Sequence, residues 1–250
     1  MLLDPELFLM TSMKIYLDNC ILVDIEKGSL NLSDFCRNNG TEYFFSLAHI
    51  NELSRGVFKT PDLKRIRLST LSVLCGDNFL DEDDLRQSIE LTHIPADIVF
   101  ARCELLRKAT AYFEQVVAKY NPNRQGIIDE LNINKIEIGN IDSSDILKVL
   151  ESKLLESSYH LGVEEFLRLS EAFTLKAKYS TLFNLLDSVF YWKDEQNINR
   201  LYDSAHACCA QYCDVLVTND RRMAIKAKAI YSYLGVKTRV VNSEEYCRLT

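Results

Sequence analysis

The sequence has no apolar run long enough to cross a bilayer, no low-complexity tract and no internal repeat. Those absences set aside a membrane-spanning helix, a biased linker and a solenoid. The opening residues, MLLDPELFLMTS, carry acids where a secretory leader needs a cationic stretch, so no export signal is expected. Positive charge is also short: 29 Lys and Arg stand against 36 Asp and Glu, a formal net charge of -7. That sign argues against a protein that coats nucleic acid through a broad basic surface. It is compatible with an acidic centre completed by a metal ion and rimmed by a few cations, because the ion brings its own charge.

Eight cysteines, at 20, 36, 75, 103, 208, 209, 213 and 247, lack the rhythm of a disulfide framework, so a reducing cytoplasm is expected. Cys208, Cys209 and Cys213 fall on one predicted helix with no matching ligand pair elsewhere, which reads as core thiols rather than a zinc site. With 250 residues, 47% hydrophobic and 26% charged, the chain can bury a real core as one large domain or as a core with a sizeable insertion.

Strand signals sit at both ends. MKIYLD (13–18) and TEYFFSL (41–47) are short, β-branched and aromatic, and each runs into a helical stretch: NCILVDIEKG, with Gly28 as its stop, and LAHINELSRG, with Ser46 as its cap. DVLVT (214–218) and TRVVN (238–242) flank the helix RRMAIKAKAIYSYLG. From about Leu63 to Glu195 the pattern reads as almost wholly helical, including a long amphipathic run at 95–120; 133–140 is ambiguous between strand and linker. Strand–helix alternation predicts a parallel sheet covered by helices, interrupted by a helical block.

Ligands of open parallel sheets sit beyond the carboxyl ends of the strands. Asp18 ends the first strand, Asp220 lies just past DVLVT, Glu52 is one to two turns into the helix after the second strand, and Asp203 is near the start of the helix feeding DVLVT. Singly, Asp18 and Asp220 read equally as helix caps, Asp203 as a dipole partner and Glu52 as a solvated residue. Jointly they place four acids on one rim, where carboxylates repel unless a cation sits among them. Oxygen-only donors suit Mg²⁺ or Mn²⁺.

The stretches YLDNC, FSLAHINELSRG, YDSAHACCAQYCDVLVTNDRRM and RVVNSEEY resemble, in that order, the successive motifs of PIN-domain nucleases. The resemblance covers residues 13–57 and 197–248. It implies an α/β fold, a PIN-like parallel sheet flanked by helices, built from 13–57 plus 197–250. The remainder would be a large α-helical insertion or subdomain (58–196) and an N-terminal extension (1–12). It puts Asp18, Glu52, Asp203 and Asp220 at the family's four acidic positions, as metal ligands and catalytic groups, with Thr218 and Asn19 in support. Arg221, Arg222, Lys226 and Lys228 would meet the flanking phosphates. The implied activity is Mg²⁺- or Mn²⁺-dependent endonucleolytic hydrolysis, most often of single-stranded or structured RNA, leaving 5′-phosphates. An antitoxin or other protein partner and a homodimer are compatible with it. One departure is that many members place Thr or Ser directly after the first Asp, where this chain has Asn19 followed by Cys20.

Among the rivals, a haloacid-dehalogenase-type phosphatase needs a second Asp at the position of Cys20, and a phospho-receiver domain is much shorter. A PIN-fold interaction module without turnover, working through its helical block, is the alternative from another class. Lys64, Arg65 and Arg67 in KRIRLS, and the cations of AKYNPNRQG, are the block's candidate contacts to substrate or partner. His206 and His49 could line the rim but read more readily as surface or core histidines, and Asp214 reads first as the start of a strand and second as a rim residue; Asp24 and Asp187 read as structural.

Overall fold

Ile15, Tyr16 and Leu17 are each no more than 1% exposed, because their strand lies mid-sheet with helices on both faces. A computed structural model describes residues 12–36, 40–54, 60–83, 86–104, 124–132, 140–158, 160–190 and 197–249. The first elements are β1 (Met13–Leu17), α1 (Asn19–Glu26), α2 (Leu32–Cys36), β2 (Thr41–Ser46), α3 (Leu47–Ser54), α4 (Pro61–Cys75), β3 (Asn78–Asp83) and β4 (Ser88–His93). Residues 96–104 are helical. There follow α5 (Arg124–Glu130), α6 (Ile146–Glu156), α7 (Val163–Leu169), α8 (Leu175–Phe190) and α9 (Asn197–Ala210). β5 (Val215–Val217), α10 (Arg221–Leu234), β6 (Arg239–Val241) and α11 (Ser243–Leu249) complete the chain's described elements.

The six strands form one mixed sheet in the order β4-β3-β2-β1-β5-β6. All neighbours are parallel except the β3–β4 hairpin. From β1 the chain moves to β2 on one side, and almost 170 residues after β2 it returns to β5 on the other, pairing Ile15 with Val215 and Leu17 with Val217. The order therefore reverses between β1 and β5, which makes the crevice beyond their carboxyl ends the topological switch point of the sheet.

Side-chain alternation divides the core between the two faces. Ile15, Leu17, Tyr43, Phe45, Val215 and Val217 pack with Ile21 and Leu22 of α1, Leu71 and Leu74 of α4, and Tyr246 of α11. On the opposite face, Tyr16, Phe44 and Leu216 share a cluster with Leu150 of α6, Leu182 and Phe183 of α8, Cys208 and Cys209 of α9, and Ile230 of α10. Helices of the middle region thus pack on both faces of the sheet, α4 on one and α6 and α8 on the other.

Two expectations are modified. The stretch 63–195 is not almost wholly helical: β3 and β4 lie within it and extend the sheet beyond β2, with Phe45 aligned on Phe79 and Ser46 on Leu80. The run VEEFLRLSEAFTLKAKYSTLFNLLDSVFYWK is broken into α7 and α8 by a turn in which Glu171 takes φ 53°. Residues 1–11, most of the 95–120 run and the segment 133–139 lie outside the described residues. Among the described residues no helix is long and apolar enough to cross a membrane.

Candidate functional site

Asp18 and Thr218 close the switch point. The Asp18 N–H donates to the Val217 carbonyl at 2.9 Å, continuing the β1–β5 ladder past the end of β1. The Asp18 side chain, 5% exposed, then divides its oxygens. Oδ1 caps α1 by accepting the Asn19 N–H at 2.7 Å. Oδ2 accepts the Thr218 hydroxyl at 2.7 Å and the Cys20 thiol at 3.0 Å. Cys20 thus steadies Asp18. Burial first, then the charge of Asp18, holds its thiol well above the ordinary range, so it serves as a neutral donor.

Thr218 is 2% exposed, and its Oγ1 also accepts the Asp220 N–H at 3.0 Å. Asp220, at the surface, caps α10 with Oδ1, which accepts the N–H groups of Arg222 and Met223 at 2.8 and 3.0 Å. Both aspartates are therefore helix caps. Capping explains the local geometry of each; it does not explain why the two sit across one crevice joined through a single hydroxyl.

Glu52 reaches the same crevice from α3. Its Oε2 accepts a hydrogen bond from the Asn19 side-chain amide, and its Oε1 stands 3.9 Å from His206 Nε2. Asp203 lies on α9, one turn before His206. The small residues Ala207, Cys208, Cys209 and Ala210, all no more than 1% exposed, let this helix approach the sheet closely. The Asp203 carboxyl is held well above the usual carboxylate range, first by burial and next by Asp18. Lys226 opposes the shift, and Asp220 and Glu52 add to it. The charges of the other three acids, from three other segments of chain, thus all raise Asp203.

Beneath the acids is a buried polar cluster. The Tyr16 hydroxyl lies 2.6 Å from Ser46 Oγ and 2.8 Å from His206 Nδ1. His49 accepts the Ser46 N–H on Nδ1 at 3.1 Å, which leaves Nε2 to donate to the Leu17 carbonyl at 2.8 Å. This fixes a neutral ring, in keeping with a pKa pushed well down by burial and by the neighbouring His206. For His206 burial also favours the neutral form, but the Glu52 carboxylate outweighs it and the pKa rises. Neither histidine is a surface residue: each is 1% exposed.

Of the cations expected at phosphate, Arg221 and Arg222 are exposed at the start of α10 beside Asp220, and Lys228 is exposed further along. Lys226 is corrected. It is 1% exposed, with Nζ 2.6 Å from Asp187 Oδ1, and Asp187 also meets Arg200 at 3.4 Å. Met223, Ala227 and Ile230 share its face of α10, and a side chain on that face points into the core. The expectation for Arg67 fails for the same reason. It is fully buried and paired with Glu26, whereas Lys64 turns toward Glu104 at 3.8 Å and only Arg65 is well exposed. Asp214 stands at the opposite end of β5, where Oδ2 accepts the Lys14 N–H at 2.8 Å, so it has no place on the rim.

Asn219, between Thr218 and Asp220, ties the rim together. Its amide donates to Asp24 Oδ2 at 3.1 Å, and its Oδ1 accepts from the Ser243 N–H and hydroxyl at 3.1 and 3.0 Å. The sequence alone assigns no such supporting roles to Asn219, Cys20, Tyr16 or Arg67. For Arg67 the spacing to Leu71 and Leu74 is a usable signal of inward orientation; for the others the partners are distant in sequence and leave no local trace.

Among the described residues no three His, Cys, Asp or Glu side chains are drawn together as a ready ligand set. The donors of Asp18, Glu52, Asp203 and Asp220 are nonetheless all carboxylate oxygens, the kind a hard divalent cation takes, and Thr218 and Asn19 already orient Asp18 and Glu52. Asp18, Asp203 and Asp220 are the groups that would hold it, with Glu52 beside them. No family model, no curated protein and no solved structure matches this chain.

Proposed function

We propose that the protein is a Mg²⁺- or Mn²⁺-dependent endonuclease of the PIN type, acting on single-stranded or structured RNA. What supports this reading is that Asp18, at the end of β1, is joined through Thr218 to the turn of Asp220 past β5, that Glu52 reaches Asn19 and His206 beside them, and that the Asp203 carboxyl is raised by burial and by the charges of the other three. A divalent cation, held by Asp18, Asp203 and Asp220 with Glu52 beside them, would lower the pKa of a bound water and so supply a nucleophile at neutral pH.

The chain's own residues supply the rest. Thr218 and Cys20 hold Asp18 by its Oδ2. Asn19 holds Glu52 by its Oε2, leaving Oε1 facing His206. Arg221 and Arg222, exposed beside Asp220, would meet backbone phosphates on either side of the scissile bond, an interaction that adds affinity without reading sequence. The eight cysteines are all free thiols, a state that suits a reducing cytoplasm. An antitoxin-like partner and a homodimer belong to the proposal through the family resemblance alone.

The test is cleavage of a mixed RNA pool by the wild type and by Asp18→Asn, with Mg²⁺ or Mn²⁺ and with EDTA. Cleavage that needs the metal and disappears in the variant supports the proposal. Cleavage that survives EDTA, or no cleavage at all in either metal, sinks it.

A further inference from the structure

Arg67 is the largest fully buried side chain among the described residues, and its location has no obvious stability rationale. It comes from α4, on the face that also carries Leu71 and Leu74, where an aliphatic residue would pack without desolvating a charge. Its partner is Glu26 of α1: Nε and Nη2 meet Glu26 Oε1 and Oε2 as a two-pronged pair, the second bond 3.0 Å long. Buried ion pairs of this kind often contribute little net stability relative to apolar residues of similar volume. The remaining nitrogen is informative. Nη1 donates to Asn19 Oδ1, and the Asn19 amide nitrogen donates in turn to Glu52 Oε2.

We infer that Arg67 is a positioning residue for Glu52, acting through the Asn19 amide. A guanidinium only donates and a carboxylate only accepts, so a side chain that bridges the nitrogen of one to the oxygen of the other needs an acceptor at one end and a donor at the other. Asn19 is such a group, and its two neighbours decide which way it faces. Oxygen must point to Arg67 and nitrogen to Glu52. Glu26 fixes the guanidinium, the guanidinium fixes the amide, and the amide fixes one oxygen of Glu52, leaving the other toward His206. Three helices, α1, α3 and α4, are thereby committed to the aim of one carboxylate. This deepens the metal-dependent reading and rests on it for its purpose, although the coupling itself can be measured without any metal.

The experiment reverses the polarity of one link. Asn19→Asp sets a carboxylate against Glu52 and should lower the thermal midpoint of the full chain by about 4–8 °C. Glu52→Gln alone should be nearly silent, because a glutamine oxygen can still accept from Asn19. The double variant restores a donor facing an acceptor and keeps the net charge, so it should recover most of the loss. A double variant no more stable than Asn19→Asp overturns the inference.

A second measurement separates positioning from mere packing. Arg67→Lys keeps a cation for Glu26 but loses the fork that reaches Asn19. The Mn²⁺ concentration giving half the maximal rise in midpoint should increase about tenfold, the usual cost of losing a group that orients a ligand. An unchanged Mn²⁺ response in Arg67→Lys, with the wild type responding, overturns the positioning role and leaves the nuclease reading intact. A wild type that neither responds to Mn²⁺ nor cuts RNA would end the nuclease reading while the coupling of residues 19 and 52 is judged by the double variant.

Discussion

The hydroxyl of Thr218 donates to Asp18 Oδ2 across 2.7 Å, joining residues 200 apart in sequence. Thr218 Oγ1 also accepts from the Asp220 N–H at 3.0 Å, so one small side chain holds the turn of each flanking aspartate. Parallel pairing of β1 with β5 makes this possible, because it brings both strands to an end at the same level.

Removing that hydroxyl should be felt in stability first. Thr218→Val keeps the shape but leaves the buried Asp18 Oδ2 with the weak Cys20 thiol as its remaining donor and removes the acceptor of the Asp220 N–H. The expected loss is roughly 1–3 kcal/mol, read from the urea midpoint at unchanged slope. Thr218→Ser keeps both bonds and should retain most of the stability. Equal losses in the two variants would show that the methyl group, not the hydroxyl, is what matters.

Lys226 and Arg67 mark where helical period and residue charge give opposite signals. Their charge suggests solvent, while Met223, Ala227 and Ile230 around one, and Leu71 and Leu74 beyond the other, set a period that turns both inward. Strands β1, β2, β5 and β6 are legible in their apolar runs, and the caps at Asp18 and Asp220 in their position before helical stretches. The β3–β4 hairpin is harder to see: NFLDED presents three acids in six residues, and only Phe79 and Leu80 are buried, held there by pairing with Phe45 and Ser46. In β4, Ile89 and Leu91 alternate with Ser88, Glu90 and Thr92, a period-two signal masked by helical neighbours on both sides. Asp18 and Asp220 are legible because each follows a strand end; Asp203, expected near a helix start, lies in the middle of α9, and Glu52 is in the last turn of α3, so these two and the groups that orient all four are brought in by tertiary structure.

Lys226 and the exposed arginines should separate cleanly. Lys226→Met takes one of two buried cations from Asp187 and leaves it with Arg200, and the expected cost is about 1–3 kcal/mol of unfolding free energy. Arg221→Ala with Arg222→Ala should barely alter stability. It should flatten the salt dependence of RNA binding, by about 0.7 in log–log slope for each phosphate no longer neutralised on a single strand. If Lys226→Met changes the salt slope and leaves the melt untouched, its inward placement is wrong.

Asp203 supplies a pH prediction. Its folded-state pKa is raised, so between the ordinary carboxylate range and that higher value the folded chain binds more protons than the unfolded one. The contribution of Asp203 to the stability of the metal-free protein should then fall as pH rises through this window, the penalty being complete above the folded pKa. Asp203→Asn should remove that slope and make the metal-free protein more stable at neutral pH. His49 contributes the opposite limb, since its folded pKa is depressed and its share of stability is lost as pH drops below about 6.5. Midpoints measured from acid to neutral pH in EDTA check both; an Asp203→Asn profile identical to the wild type would remove the premise that the acids interact.

Asp220→Asn distinguishes the two roles that one carboxylate holds. Asn is as good a cap as Asp, so the bonds to the Arg222 and Met223 N–H groups can persist and the metal-free melt should stay level or rise slightly as repulsion with Asp203 is relieved. If capping is the residue's whole task, RNA cleavage is unaffected. If it also holds a divalent cation, cleavage falls by orders of magnitude and the gain in midpoint on adding Mn²⁺ shrinks, because binding to the native state supplies that gain. Asp220→Ala completes the comparison: it loses the cap as well, at about 1 kcal/mol, and should match Asp220→Asn in activity while melting lower. Wild-type cleavage rates in Asp220→Asn would leave capping as the only role for this residue.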